Sequence, residues 1–219
     1  MQRQISQQGD ESIQHPIRTL LSRYPRKVLI CFGACMLNAV GFYMVLTYIP
    51  NYLEVTLSFD PAMASTITTT IVLVAYIGLI FVSGRVSDRV GRRRMLIIAC
   101  VGFVAFTVPA FHLLGTCQFR VVLVTELVMC MILTVNDGTL SSYLTETFPT
   151  AVRYSGFAFS FNLANALFGG SASYISFWLI NATGDAIAPA YYMIAIGLIA
   201  LVAMIASHEH TGKDLNDVK

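Results

Sequence analysis

Six apolar runs, at about 28–49, 62–83, 95–114, 121–144, 154–180 and 190–207, leave this chain few ways to fold. The first is 22 residues long. As a helix such a run rises about 33 Å, and a bilayer's hydrocarbon core is about 30 Å thick. Lipid offers the backbone no hydrogen-bond partners, so each run must satisfy its own amides and form a helix. Barrel strands would be shorter and would alternate in polarity, which these runs do not. Hydrophobic residues make up 56% of the chain and charged ones 12%, about half the charge of a soluble domain. The expected class is an all-α integral membrane protein with six transmembrane helices. The polar opening stretch precedes a run too long for the apolar core of a signal peptide, so that run is expected to stay in the membrane as an anchor.

Between the second and third runs lies Gly84–Arg94, with five arginines in eleven positions. Each would cost about 2.5–3.5 kcal/mol at a bilayer centre, so this stretch is expected to be a short turn in water. Gly84 and Gly91 are candidates for backbone conformations or close approaches that a Cβ forbids. Counting Lys and Arg, thirteen fall on the side of this turn and the termini, and only Arg120 on the other. The positive-inside rule then puts both termini and the arginine turn in the cytoplasm, with the chain in the inner (plasma) membrane. Residues 1–27 form a cytoplasmic segment, 28–207 the bundle and 208–219 a cytoplasmic tail. Pro50, Asp60–Pro61, Gly115 and residues 181–189 are expected at outer turns. From His15 to Lys27, Ile17, Leu20 and Leu21 alternate with bases, which suits either a helix on the membrane surface or a polar linker.

The spacing Gly84-x-x-x-Asp88-Arg89-x-Gly91-Arg92-Arg93 resembles the cytoplasmic signature loop of the major facilitator superfamily, which joins the second and third helices of each six-helix half. Further on, Glu146-Thr147-Phe148-Pro149-Thr150-Ala151-Val152-Arg153-Tyr154-Ser155-Gly156, with Phe161-Asn162-Leu163-Ala164-Asn165 and Gly169-Gly170, is similar to the junction of helices ten and eleven in its metabolite:proton symporters. Pro189-Ala190-Tyr191-Tyr192 resembles the start of their twelfth helix. Phe42-Tyr43-Met44-Val45-Leu46-Thr47-Tyr48-Ile49-Pro50-Asn51-Tyr52-Leu53 looks like helix seven of the proline/glycine-betaine branch. The resemblance runs from about residue 16 to 207.

It implies the C-terminal half of a twelve-helix facilitator, built as a 3+3 inverted repeat, with part of the central loop at its start. The implied activity is proton-coupled symport of a zwitterion or organic acid such as proline or betaine, by alternating access. One half supplies one wall of a substrate path, so transport would need a separate N-terminal half, a homodimer, or a longer parent chain. A truncated, transport-inactive membrane protein or an assembly partner is the alternative. In the family the signature acid, here Asp88, meets the positive end of a facing helix in the other half and locks one conformation.

Ionisable groups inside a span are functional candidates because burying them is costly. The fourth run holds Glu126 and Asp137, separated by about 20° in azimuth and about 16 Å in height on one helix face. By the family analogy the first and fourth helices line the central cavity, so Asn136 and Asp137 would face substrate or a coupling proton. A structural Asp137 bonded to a neighbouring hydroxyl is the competing reading. Glu126, nearer the outer end, is expected to be water-exposed or related to Arg120, with proton coupling as its functional reading.

On the first helix, Asn38 and Tyr43 are placed to meet a zwitterion, and Phe42 and Tyr43 to hold a quaternary ammonium by cation–π attraction. On the fifth, Ser155, Ala158, Asn165, Gly169, Ser173 and Ser176 fall within about 60° of Asn162 at uniform helical pitch. Phe157, Phe161, Phe168 and Trp178 fall elsewhere. That stripe suits close helix packing or a water-facing wall, with Asn162 and Asn165 as hydrogen-bonding groups. Tyr48, Tyr52, Tyr191 and Tyr192 are expected at span ends as interfacial anchors.

Four of the five cysteines, Cys31, Cys35, Cys100 and Cys130, lie in apolar runs without metal-site spacing and read as packing residues. His112 reads as interfacial, and His208-Glu209-His210 as a solvated tail. No metal or other cofactor and no nucleic acid is expected. Neither His-Glu-x-x-His nor Gly-x-Ser-x-Gly occurs, so an enzyme is not expected.

Overall fold

The computed structural model describes residues 16–207, and among these all regular structure is helical. The His208–His210 group and the other tail bases lie outside the described residues, as does most of the N-terminal segment. A short helix α1 (Pro16–Arg23) leads into six long ones: α2 (Pro25–Thr56), α3 (Pro61–Val90), α4 (Arg92–Leu114), α5 (Phe119–Thr147), α6 (Arg153–Thr183) and α7 (Ala188–Ile205). Each is long and apolar enough to cross a membrane.

The helices overrun the apolar runs. Pro50, expected at a turn, lies inside α2, which continues to Thr56. Proline removes one backbone donor and crowds the preceding turn. Here wide turns with hydrogen bonds from residue i+5 to i flank it, at Met44–Tyr48 and Tyr52–Thr56. Wide turns of this type relieve such crowding without ending the helix. Asn51 Nδ2 donates to the Thr47 carbonyl at 2.9 Å beside the proline. As a result Tyr48 and Tyr52 are not belt anchors. They are fully buried in an aromatic knot with Phe111 and Phe177, at centroid distances of 5.1–5.8 Å. The Tyr52 hydroxyl donates to the Ala186 carbonyl at 3.1 Å, tying α2 to the α6–α7 connection. Of the other two tyrosines expected as anchors, Tyr191 is exposed and Tyr192 is half-buried against the core.

The arginine stretch is also less of a loop than its charge suggests. α3 stays helical to Val90, and only Gly91 breaks the path, at φ +104°. A residue with a Cβ would be strained there. Gly84 serves a different purpose: it is helical, and a Cβ there would touch the Gly138 carbonyl at 3.5 Å. At Gly138 itself a Cβ would lie 2.8 Å from the Ile80 carbonyl. These two glycines let the backbones of α3 and α5 nearly meet, the usual use of small residues between membrane helices.

Neighbour relations obey a simple exchange rule. α2 packs on α6 and α7 as α5 packs on α3 and α4, while α4 and α7 pack on each other. Swapping the first three spans for the last three leaves this pattern unchanged, as a 3+3 repeat requires. The burial is uneven: 72% of the apolar window of α2 is inside the bundle, against 19% for α3 and 22% for α6. Consequently α3 shows Val74, Ile77, Phe81 and Val82 on its outer face, and α6 shows Leu167, Tyr174 and Trp178.

The buried face of α6 records how its sequence is read in three dimensions. Gly156, Ser160 and Ala164 recur every four residues, then Gly169, Ala172 and Ser176 continue the stripe. The step of five falls on a wide turn at Asn165–Gly169, closed by Gly170 N–H to the Asn165 carbonyl at 3.0 Å. Uniform pitch puts Asn162 at the centre of the packed stripe. In fact Asn162 is exposed and its Nδ2 donates to the Ala158 carbonyl of its own helix.

Candidate functional site

Two polar constellations stand out, one at the arginine end of the bundle and one in its middle. At the arginine end, Arg92 opens α4 and reaches two acids. Its Nη2 is 3.2 Å from Asp88 Oδ1, one turn back across Gly91, and its Nε is 2.9 Å from Glu146 Oε2 at the end of α5. Arg93 points to another helix: Nε and Nη2 donate to the Met204 and Ile205 carbonyls at 2.9 and 3.0 Å. The last carbonyls of a helix lack internal partners and carry its negative dipole end, so a guanidinium suits them. Arg153 Nε donates to the Phe148 carbonyl at 3.3 Å, folding the α5–α6 turn. Asp88 itself is mostly exposed. Arg89, also in the signature, lies on the last turn of α3. Glu146 was visible in the sequence only as part of a motif. Its signal as a partner for Arg92 was an acid at the end of a run that finishes on the basic side.

The second constellation lies between α2, α3, α5 and α6, with α4 and α7 behind it. Asn38, Phe42, Tyr43, Tyr76, Ile80, Asp137, Leu140, Ser141, Phe161 and Asn165 line a pocket of about 300 Å³. The lining helices are the first, second, fourth and fifth spans, so the exchange of triplets maps this set onto itself.

Asp137 is held from two helices at once. Asn38 Nδ2 donates to its Oδ1, and the Tyr76 hydroxyl donates to its Oδ2 at 2.6 Å. Both donors are neutral. The competing expectation, a hydroxyl neighbour for Asp137, is therefore present in the geometry beside the pocket that the functional reading requires. Phe42 packs edge-on against Tyr43 and Tyr76, with centroids 5.9 and 6.2 Å away, so three aromatic rings share the pocket wall with Asp137. Gly169 fixes the Tyr43 ring: a Cβ at that glycine would come within 2.7 Å of it. The wide turn of α6 brings Gly169 to this place and leaves Asn165 on the pocket wall.

Of the residues singled out from sequence, Asn38, Phe42, Tyr43, Asp137 and Asn165 converge here. Asn136, Asn162 and Glu126 do not. Asn136 is buried beside the pocket and Asn162 faces outward. Glu126 is fully buried and not water-exposed, because α5 begins at Phe119 and Glu126 already faces the packed interior two turns later. Tyr76, Ile80, Leu140, Ser141 and Phe161 were missed. Tyr76 offered a signal, as a hydroxyl-bearing aromatic in mid-run. Phe161 was assigned away from the polar face by the uniform pitch. Among the described residues no three His, Cys, Asp or Glu side chains converge as metal ligands.

The pocket is thus walled by four spans and holds a half-buried acid, and the charged turn at one end of the bundle is broken at a single glycine. The family model described as sugar (and other) transporter matches residues 1–219. A putative proline/betaine transporter of Staphylococcus aureus (strain COL) is 31% identical over 193 residues, covering 88% of this chain and 41% of that protein. The proline/betaine transporters of Salmonella typhimurium and Escherichia coli K12 are 31% and 29% identical over 201 residues, covering 90% of this chain and 39% of each. The chain thus spans about two fifths of the length of these curated relatives. It is a multi-pass membrane protein that belongs to the sugar (and other) transporter family of the major facilitator superfamily.

Proposed function

We propose that this chain forms one wall of a transport path for a small zwitterion of the proline or betaine kind, coupled to protons. The observation that carries the reading is Asp137, hydrogen-bonded by the neutral donors Asn38 and Tyr76 in a pocket whose wall also carries the rings of Phe42, Tyr43 and Tyr76. An ionised carboxylate with no basic partner in its pocket suits a cationic group or a proton. The ring faces add cation–π attraction, about 0.5–2 kcal/mol each. Ser141 and the second Nδ2 hydrogen of Asn165, whose first goes to the Phe161 carbonyl, are donors for the solute's carboxylate. A pocket of about 300 Å³ suits a molecule of that size. The names of the relatives favour the same solutes.

Asn136, Asn162 and Glu126 stand outside this arrangement, and the proton is assigned to Asp137 alone. The thirteen-to-one placement of Lys and Arg supports both ends of the bundle in the cytoplasm of an inner-membrane protein. A complementary six-helix half, or a second copy of this chain, supplies the opposite wall, against the exposed apolar faces of α3 and α6. Asp88, mostly exposed, is available to a helix end on that partner.

Equilibrium binding of labelled betaine, proline and glucose to the chain in lipid nanodiscs tests the solute class. Betaine and proline should compete with each other while glucose does neither; saturable glucose binding that betaine leaves unchanged would defeat the assignment. Proton coupling is read separately, as a pH change in weak buffer on adding betaine. The change should disappear in Asp137→Asn, and its persistence would remove Asp137 from the proton's route.

A further inference from the structure

The face between α2 and α7 carries an apolar groove outside the solute pocket. Leu29, Ile30, Gly33 and Met36 on α2 and Val202 and Ala206 on α7 line a recess of about 350 Å³ that is almost free of polar surface. Its floor exists because small residues meet there: a Cβ on Gly33 would lie 2.7 Å from Ala203 Cβ. Its rims, Leu29 and Val202, are exposed.

The groove opens at the arginine end. Arg26, Leu29, Ile30 and Gly33 follow the spacing i, i+3, i+4, i+7 and share one helix face. Arg26 is exposed and lies one turn beyond the apolar lining, at the groove's mouth. From Arg26 to Met36 the helix rises about 15 Å, half the thickness of a hydrocarbon core and so the depth of one leaflet.

We propose that this groove seats an acyl chain of an anionic phospholipid from the leaflet at the arginine end, with the lipid phosphate on Arg26. The apolar lining cannot choose among lipids, because bulk chains are as apolar as the groove. Selection therefore falls to the headgroup's net charge: a guanidinium pairs with phosphate oxygens in a two-pronged geometry, and in phosphatidylcholine the choline cation offsets that charge, whereas in phosphatidylglycerol nothing does. Arg23 and Lys27 add to the positive field at the mouth, with the Lys27 ammonium 5.4 Å over the Tyr24 ring. This site is independent of what the central pocket carries.

Native mass spectrometry of the delipidated full chain, titrated with phosphatidylglycerol or phosphatidylcholine of the same acyl length, reads the preference directly. Phosphatidylglycerol should be retained about fivefold better, the size of one basic contact at a membrane surface. Arg26→Gln, at an exposed position that does not endanger the fold, should abolish the preference. Arg120→Gln at the far end should keep it. Val202→Trp and Ala206→Trp, which fill the groove, should lower retention of phosphatidylglycerol in protein of unchanged helix content. Equal retention of the two lipids, or a preference that survives Arg26→Gln, would overturn the proposal. So would glycerol phosphate alone binding as well as the whole lipid, since the groove would then contribute nothing.

Discussion

The acids at the arginine end and the acid in the middle of the bundle are treated in opposite ways. Asp88 and Glu146 converge on Arg92, so each negative charge has a positive neighbour on another turn or another helix. Asp137 receives two hydrogen bonds from uncharged groups. The first arrangement gathers α3, α4 and α5 at one end, chiefly through the half-buried Arg92–Glu146 pair. In the second the geometry of the carboxylate is fixed but its charge is not balanced within the pocket. The difference separates a fastening from a carboxylate that the pocket holds by neutral donors alone, which is what the proposed transport role draws on.

The contrast is open to attack, beginning where the expected effect is largest. Gly138→Leu puts a side chain where a Cβ already comes within 2.8 Å of the Ile80 carbonyl, forcing α3 away from α5. Overpacking of this kind costs about 1–3 kcal/mol or more. Denaturant titration should show that loss together with complete loss of betaine binding; retained binding would mean the pocket does not need the close approach. Asp137→Asn keeps the shape and removes the charge. Betaine affinity should fall at least about tenfold, near 1.4 kcal/mol, with an unchanged unfolding midpoint. A midpoint that drops while binding persists would recast Asp137 as a structural group.

Glu146→Gln should have the opposite profile. It weakens a partly buried ion pair with Arg92, expected to cost about 1–2 kcal/mol, and should leave betaine affinity within twofold. If affinity fell in step with stability, the two regions would be coupled rather than distinct. The smallest effect belongs to Asp88→Asn. An exposed i, i+4 pair contributes about 0.2–0.5 kcal/mol and is screened by salt, so the variant should be indistinguishable from the parent chain above about 0.5 M salt. A larger loss at high salt would show that the pair is more than a surface contact.

Which of these features the sequence makes legible depends on what sets each one. The six spans were legible because lipid imposes length and apolarity on every crossing, and the need for glycine at position 91 followed from its place between two such spans. Asn38, Phe42, Tyr43, Asp137 and Asn165 were legible because polar and aromatic groups inside a span need a reason to be there. Tyr76 was not, because its role depends on which face of α3 meets α5; Gly84 stood out as a candidate for close approach, but its counterpart Gly138 on α5 looks ordinary in sequence. Phe161 and Asn162 were placed on the wrong faces of α6 because pitch was taken as constant through Asn165–Gly169. Pro50 misled in the same way: a proline reads as a stop unless wide turns are known to flank it. Glu126 was misjudged because depth along a helix gives no information on which side of it faces neighbours.

The wide turn of α6 also affects how this helix responds to changes in length. A helix carrying one residue too many over five positions has a spare residue in mid-membrane, where insertions and deletions are normally ruinous. Deleting Ala166 should let the turn relax to ordinary pitch while Gly156, Ser160 and Ala164 stay in register with Gly169, Ala172 and Ser176. Inserting a residue at the same point should swing everything beyond it by about 100°. Shortening tolerated where lengthening is not would mark α6 as a span whose count of residues, more than their identity, aims its two halves at the same neighbour.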